Sequence, residues 1–248
     1  HSDVMAARAT GVGMIAANSP QEVMDLAAVS HLASIKASMP IVHFFDGFRT
    51  SHEQQKIEVW DYDTLDEMLD YDAVDKFKQH ANNPCHPHLM GSAEQPETFF
   101  QHNEARNIFY DESVDIIKGV MEQVNEKIGT DYKPFNYYGA EDAADVIIAM
   151  GSVCETAAEV VDYLNNNGRK VGPFSSKHLL QEIPKSVKNI AVLDRTKEPG
   201  SNGEPLYLDV VSALADSDDI NVRLTRGRYG LGSKDTQPGD IIAVYDNM

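Results

Sequence analysis

The sequence predicts an α/β protein made of two doubly wound domains, each with a mainly parallel sheet. Short apolar runs rich in β-branched residues, such as residues 41–45 and 144–150, alternate with amphipathic segments at helical spacing. Two of the helix starts carry a Ser-x-x-Glu pattern, at residues 19–22 and 152–155. We place the domain boundary near Gly139, which gives domains of residues 1–139 and 140–248.

The first domain opens with one helix between two strands. Residues 11–18 are small and apolar and suit a tightly packed strand or turn. Residues 19–22 (SPQE) combine an N-cap serine, a proline at the first helical position and a capping-box glutamate. The helix should run to about Lys36. Residues 41–45 (IVHFF) then predict a buried parallel strand.

The remainder of the first domain is acidic. Residues 54–82 indicate two helical pieces with apolar residues three and four apart. Residues 82–96, rich in proline, asparagine and glycine, predict a long loop. Residues 112–128 predict an amphipathic helix, and residues 129–143 have the character of a linker docked by aromatic side chains.

The second domain repeats the α/β alternation. Its predicted segments are strands in 144–152, 169–172, 187–196 and 220–227, helices in 153–166 and 205–216, a glycine-rich turn before residue 234 and a closing helical turn. Ser152 should cap the first of these helices, and Gly168 should close it. Only three residues of the second strand precede Pro173, whereas a strand needs about five. Either this strand is very short or residues are absent from this chain.

Charge and cysteine content exclude several classes of function. The formal net charge is −18, which makes nucleic acid and anionic membranes poor partners because binding phosphate needs clustered Lys and Arg. Two cysteines indicate a reducing, cytoplasmic compartment. The sequence has no apolar run of about 18 residues and no signal-peptide pattern. Because it also lacks an initiator Met, we expect an internal piece of a longer protein.

Polar residues follow two of the predicted strands. Asp46 and Arg49 come after residues 41–45, and Arg195 comes at the end of a strand in the second domain. Ligands of open α/β sheets bind beyond the carboxyl ends of strands, so Arg49 or Arg195 is a candidate anion ligand. In the alternative, Asp46 caps a turn and Arg49 pairs with Glu53 or Asp61.

Three groups that could hold a metal or act in catalysis have structural interpretations that we favour. The prolines of Cys85-His86-Pro87-His88 force an extended loop, and no second Cys/His cluster follows to complete a zinc site. His43 lies within an apolar strand, where we expect its side chain to be hydrogen-bonded in the core. His52 beside Glu53 lacks a marked nucleophile.

Residues 227–234 (GRYGLGSK) and Arg8 are the last candidates. The glycine-rich run has Ser before Lys, the reverse of the Walker A order, so a turn at a sheet end or an interface is favoured over a phosphate loop. Arg8 is followed by small residues, and its guanidinium could hold a carboxylate through two hydrogen bonds. A surface ion pair is the alternative.

Seven stretches, in order, resemble the pyruvate:ferredoxin (flavodoxin) oxidoreductases. They are DVMAARATG, HFFDGFRTSHE, KIEVWDYD, NPCHPH, LDRTKEPG, PLYLDV and GRYGLGSK. The resemblance implies a large cytoplasmic, dimeric enzyme of anaerobic metabolism. It would oxidatively decarboxylate pyruvate with coenzyme A to acetyl-CoA and CO2, passing electrons to ferredoxin or flavodoxin. It also implies thiamine diphosphate, Mg²⁺ and 4Fe-4S clusters as cofactors.

The resemblance makes this chain the later part of a pyrimidine-binding-type domain followed by a transketolase C-terminal-like domain. Arg8 matches the family arginine that holds the pyruvate carboxylate, with Thr10 and Arg49 as candidates for secondary contacts. The chain alone should be inactive. The glutamate that activates the aminopyrimidine, the diphosphate–magnesium site and the cluster cysteines belong to parts of the enzyme outside it.

The chain departs from the family pattern at two places. A stretch ending in Tyr-Arg normally precedes Pro173, and Cys85 stands where an acid is expected. Two other functions stay open: a non-catalytic docking module, favoured for residues 140–248, whose partners are the remaining domains or a second subunit, and an oxidoreductase for another 2-oxoacid. The resemblance leaves the electron acceptor and the physiological direction undecided.

Overall fold

A computed structural model describes residues 1–87, 93–174, 183–215 and 221–248. Its helices are α1 (Ser2–Ala7), α2 (Pro20–Ala37), α3 (Tyr62–Met68), α4 (Tyr71–Gln79), α5 (Pro96–Ala105), α6 (Asn107–Ile128), α7 (Val153–Asn166), α8 (Pro205–Ala215) and α9 (Pro238–Asp246). Its strands are β1 (Gly13–Ala17), β2 (Ile41–Phe45), β3 (Asp145–Ile148), β4 (Val171–Phe174), β5 (Asn189–Asp194) and β6 (Arg223–Arg228). Short 3-10 turns cover Arg8–Thr10, Thr50–His52 and Leu231–Ser233.

The β1–α2–β2 unit forms as the sequence predicts. The Ser19 side chain accepts a hydrogen bond from the Glu22 amide at 3.3 Å, and a proline occupies the first turn of α2. The Glu22 carboxylate in turn accepts from the amide of Asn18 at 2.7 Å. These contacts satisfy amides that a helix start otherwise leaves without partners. β1 and β2 then pair in parallel, with Gly13 opposite Ile41.

The core of the first unit lies between β1, α2 and α6. Ala17, Val29 and Val124 are completely buried there. The prediction of a buried β2 is wrong in degree, since its first four residues are only half-buried and Phe45 is 41% exposed. The reason is that, among the described residues, β1 and β2 form a sheet of only two strands.

The second unit is a four-stranded parallel sheet in the order β4-β3-β5-β6. Its two central strands, β3 and β5, are apolar on both faces, as expected for a parallel sheet covered by helices on both sides. Val146 and Ile190 pack on the face that carries α8. Ile147 and Ala191 pack on the opposite face, against α7 and α9. This arrangement confirms the doubly wound α/β prediction; the exact boundary near Gly139 stays a prediction.

A short strand forms at Pro173, as one of the two sequence alternatives predicts. β4 has four residues, includes the proline and lies at the edge of the sheet, opposite Ile147. An edge position tolerates proline because its absent amide faces away from the ladder. The preceding linker approaches β4 closely, since a Cβ on Gly139 would lie 2.5 Å from the Val171 carbonyl oxygen.

Three helical elements differ from the sequence prediction. No element is predicted for residues 97–111, whereas α5 runs from Pro96 to Ala105. α6 begins at Asn107, about a turn before the predicted start. The closing helical turn is a complete helix, α9, begun by a capping box between Gln237 and Asp240. In the described parts of the chain, no helix combines the length and the apolar character needed to cross a bilayer.

Candidate functional site

The carboxyl ends of β2 and β5 face one another across the two units and border a cavity of about 390 Å³. The N-terminal turn of α7 and the segment after β6 complete its wall. The lining residues are Phe48, Arg49, His52, Glu53, Ser152, Val153, Thr156, Arg195, Tyr229, Gly230, Lys234, Asp235, Thr236 and Gln237. The cavity therefore lies where open α/β sheets bind ligands, beyond the ends of their strands.

Asp46 is the buried acid at the centre of this junction. Its side chain is completely buried and lies 2.6 Å from Nη1 of Arg195, whose side chain is 7% exposed. The contact is an ion pair whose angle falls outside hydrogen-bond geometry. The imidazole of His1 also contacts Asp46. Asp46 therefore pairs with the second unit, and the predicted role as a turn cap is wrong for its side chain.

Ser152 supplies two further hydrogen bonds to Asp46. Its amide donates to Oδ2 at 2.9 Å and its hydroxyl donates to the same oxygen at 2.5 Å. The predicted capping by the Ser152 side chain is therefore wrong: it makes no capping bond to α7. A charged carboxylate is the stronger partner for a hydroxyl, so the long-range contact replaces the local one.

The two cationic strand-end residues meet at the cavity. The Arg195 side chain donates to the carbonyl oxygens of Gly47 and Gly230, at 3.3 and 3.4 Å. Arg49 donates to the carbonyl of Ser233 at 2.6 Å and forms an ion pair with Asp235. The sequence alternatives of Glu53 or Asp61 as the partner of Arg49 are wrong, because the acid comes from the glycine-rich segment of the second unit.

Arg8 and Thr10 lie apart from the cavity, on the 3-10 turn after α1. Arg8 forms an ion pair with Asp209 of α8, and both side chains are about half-exposed. Thr10 donates its hydroxyl to the carbonyl of Ala7 at 2.7 Å. The structure thus leaves the Arg8 guanidinium accessible and already facing one carboxylate. It does not bring Arg8 together with Arg49 on the cavity wall.

The histidine and cysteine candidates take structural positions. The His52 ring stacks on Phe48, with centroids 5.1 Å apart, and bonds to the Ser51 hydroxyl at 2.9 Å. His43 has a buried Nε2 without a hydrogen-bond partner among the described residues, so the hydrogen-bonded core histidine was the wrong prediction for that atom. Burial lowers its pKa. Cys85 is exposed, and His88 lies outside the described residues.

Burial shifts the pKa of two groups around the junction. Burial raises the pKa of Asp194 to about 6, although its oxygens accept from the amides of Leu206 and Tyr207 at 3.0 and 3.1 Å. Burial also raises the pKa of the Cys154 thiol to about 12, which makes it a poor nucleophile and a poor metal ligand.

Metal-ligating side chains do not cluster in the described parts of the chain. The described residues contain no group of three or more His, Cys, Asp or Glu side chains that could hold a metal ion. A 4Fe-4S cluster needs about four thiolates, whereas the sequence has two cysteines, one of them exposed and one partly exposed. These residues therefore do not fit an iron–sulfur cluster.

Family models match both units. Residues 1–122 match the thiamine diphosphate-binding domain of pyruvate flavodoxin/ferredoxin oxidoreductase, and residues 143–241 match core domain II of pyruvate:ferredoxin oxidoreductase. The whole chain is also 54% identical, over 256 aligned positions, to the pyruvate-flavodoxin oxidoreductase of Enterobacter agglomerans. The chain belongs to the pyruvate:ferredoxin/flavodoxin oxidoreductase family. The resemblance found in the sequence is thereby confirmed.

The matches to other family members also cover the whole chain. The chain is 53% identical to the pyruvate:ferredoxin oxidoreductase of Moorella thermoacetica, and it spans 22% of the length of both of these relatives. Each alignment runs over 256 positions against 248 residues here, so these relatives carry residues that this chain lacks. A solved 2-oxoglutarate:ferredoxin oxidoreductase from Magnetococcus marinus matches 94% of the chain with a TM-score of 0.54 at 13% identity, which supports the fold alone.

Sequence reasoning found the strand ends of this family fold but missed the pairings between the units. Asp46 and Arg195 are 149 positions apart, and Arg8 and Asp209 are 201 apart. The usable signal was that Asp46 and Arg195 each follow the carboxyl end of a parallel strand. The signal for Asp209 was absent, because α8 presents it from the middle of an otherwise ordinary helix.

Proposed function

We propose that this chain is part of an enzyme that oxidatively decarboxylates pyruvate with coenzyme A, giving acetyl-CoA and CO2 and reducing ferredoxin or flavodoxin. The observation that carries the proposal is identity above 50% over the whole chain to enzymes named for pyruvate and flavodoxin or ferredoxin. Thiamine diphosphate with Mg²⁺, together with 4Fe-4S clusters, would supply decarboxylation and electron transfer, held mainly by parts of the enzyme outside this chain.

Within this enzyme, Arg8 binds the carboxylate of pyruvate. Its guanidinium is 44% exposed and has a single carboxylate partner, Asp209, in an exposed ion pair. An exposed pair of this kind contributes at most about 1 kcal/mol, so an incoming carboxylate can replace it at small cost. Two parallel hydrogen bonds would then fix the orientation of the substrate. Thr10 and Arg49 are proposed for secondary contacts near the substrate or the partner domain.

The test is the Arg8→Leu variant of the complete enzyme, with Arg223→Leu as the control. Arg223 is also exposed, but it begins β6 and its side chain donates to the carbonyl of Met248. We expect Arg8→Leu to raise the KM for pyruvate by at least tenfold and to lower turnover, since a charge-assisted pair is worth about 1.5–3 kcal/mol. The control should change neither. Unchanged kinetics in Arg8→Leu would refute the assigned role.

A second function fits residues 140–248, namely docking. The glycine-rich segment and Arg195 contact the first unit through Arg49 and Asp46, and the one cysteine of the second unit, Cys154, is only partly exposed. We propose that this unit mainly positions the first unit within a cytoplasmic homodimer. Sedimentation of the complete enzyme tests the dimer. A panel of 2-oxoacids tests the preference for pyruvate over other substrates of this class.

A further inference from the structure

Helix α5 lacks a hydrophobic contact surface of its own. None of its ten residues is buried, and Phe99 and Phe100 are 55% and 68% exposed. Isolated helices shorter than about 12–15 residues are marginal in water, because forming the first turn costs more than a few hydrogen bonds return. α5 therefore needs an apolar cover that the described part of the chain does not provide.

The same exposure continues into the first turns of α6. Ile108 and Phe109 are 58% and 46% exposed, and Tyr110 is 38% exposed. We call Phe99, Phe100, Ile108, Phe109 and Tyr110 the aromatic surface. Single exposed apolar residues are common, but five large ones within twelve positions, four of them aromatic, are typical of a protein interface.

The aromatic surface borders the turn that carries Arg8. The Tyr110 hydroxyl lies against Gly11 so closely that a Cβ at that position would overlap it. Gly11, with a φ of +79°, ends the 3-10 turn Arg8–Thr10. Whatever covers the aromatic surface therefore also lies beside the arginine proposed to bind the substrate.

The charges around the aromatic surface indicate the charge of the polypeptide that would pack against it. The acids on α5 and at the start of α6 are Glu97, Glu104, Asp111 and Glu112, whereas the basic residues there are Arg106 and His102, which pairs with Glu94. Complementary potentials favour a partner with an apolar centre and a basic rim. Residues 1–248 of a second subunit, whose formal net charge is −18, offer poor charge complementarity.

We propose that the aromatic surface is covered by polypeptide of the same enzyme chain from outside residues 1–248, through an apolar contact with a basic rim beside Arg8. The inference rests on the proposed function, in which this chain is part of a longer enzyme. Most of the length of the curated relatives lies outside the matched region, since the chain spans 22% of each. Covalent linkage gives such a segment a high effective concentration, which favours it over a separate partner.

The test uses a photo-crosslinking benzoylphenylalanine placed at position 100 of the complete enzyme. Phe77 of α4 is the matched control, because it is also 68% exposed but lies outside the aromatic surface. After irradiation, digestion and mass spectrometry identify the crosslinked peptides. Enzyme assembled from light and heavy isotope-labelled subunits separates links within one chain from links between chains.

We expect position 100 to crosslink to peptides outside residues 1–248 of the same chain, at least tenfold more often than position 77. Three results would overturn the inference: links to a second subunit, links confined to residues 1–248, or equal yields at the two positions. The readout does not depend on activity. If the crosslink is absent while Arg8→Leu still impairs the use of pyruvate, only this inference is refuted. If the crosslink forms while Arg8→Leu has no effect, only the substrate role of Arg8 is refuted.

Discussion

Replacing Asp46 by Ala should destabilise the junction between the two units far more than replacing an exposed acid. The carboxylate is completely buried, lies 2.6 Å from Arg195 and accepts two hydrogen bonds from Ser152. Its removal leaves a guanidinium that is 7% exposed without a countercharge, and breaking a buried pair in this way costs about 3–5 kcal/mol. Asp209→Ala breaks an exposed pair and should cost less than about 1 kcal/mol.

The assay is the thermal denaturation of the complete enzyme carrying each substitution. For an unfolding transition of about 150–250 residues, the size of the two units together, 1 kcal/mol shifts Tm by about 2–4 °C, so Asp46→Ala should lower Tm by about 6–20 °C. Asp209→Ala should lower it by less than about 4 °C. Asp46→Asn keeps the side-chain shape and an acceptor for Ser152, so its decrease in Tm should lie between those of Asp46→Ala and Asp209→Ala. Equal, small shifts for Asp46→Ala and Asp209→Ala would refute the assignment of a buried, stabilising ion pair.

Two further predictions follow from the shifted pKa values. Since the folded pKa of Asp194 is about 6 and the unfolded value is about 3.9, the folded state binds the extra proton and stability falls as pH rises from about 4 to about 6. Asp194→Asn should therefore gain up to about 3 kcal/mol relative to the parent over that interval in denaturant melts, and a pH-independent difference would contradict this. Iodoacetamide should alkylate exposed Cys85 quickly at pH 8 and spare Cys154, whose pKa is about 12, until the protein unfolds. Mass spectrometry of the modified peptides checks this, and equal rates in the folded enzyme would contradict it.

The elements predicted most accurately are those with local signals. The start of α2 was correct because Ser19, Pro20 and Glu22 act within one turn. Ser152 carries the same pattern but was predicted wrongly, because Asp46, 106 positions away, provides a stronger acceptor. Local spacing gives no information about such a competitor.

Helix α5 was missed for a related reason. Pro96 at its first position is a start signal, yet the helix buries no residue among those described, so its sequence lacks the periodic apolar face by which helices are identified. The ion-pair partner of Arg8 could not be predicted from the sequence either. An ion pair between Arg8 and Asp209 depends on how the two units are placed, and neither residue is marked by its neighbours.

The edges of the two sheets differ in their tendency to self-associate. In the four-stranded sheet, Pro173 removes a donor from the β4 edge, and three arginines lie along β6 at the opposite edge. Both edges resist the addition of a foreign strand. The two-stranded sheet has no such protection, since the apolar strand Gly13–Ala17 has one edge unpaired among the described residues. β2 (Ile41–Phe45) likewise has one unpaired edge among the described residues, so aggregation of this chain, when it is produced without the rest of the enzyme, should begin at the edges of this two-stranded sheet.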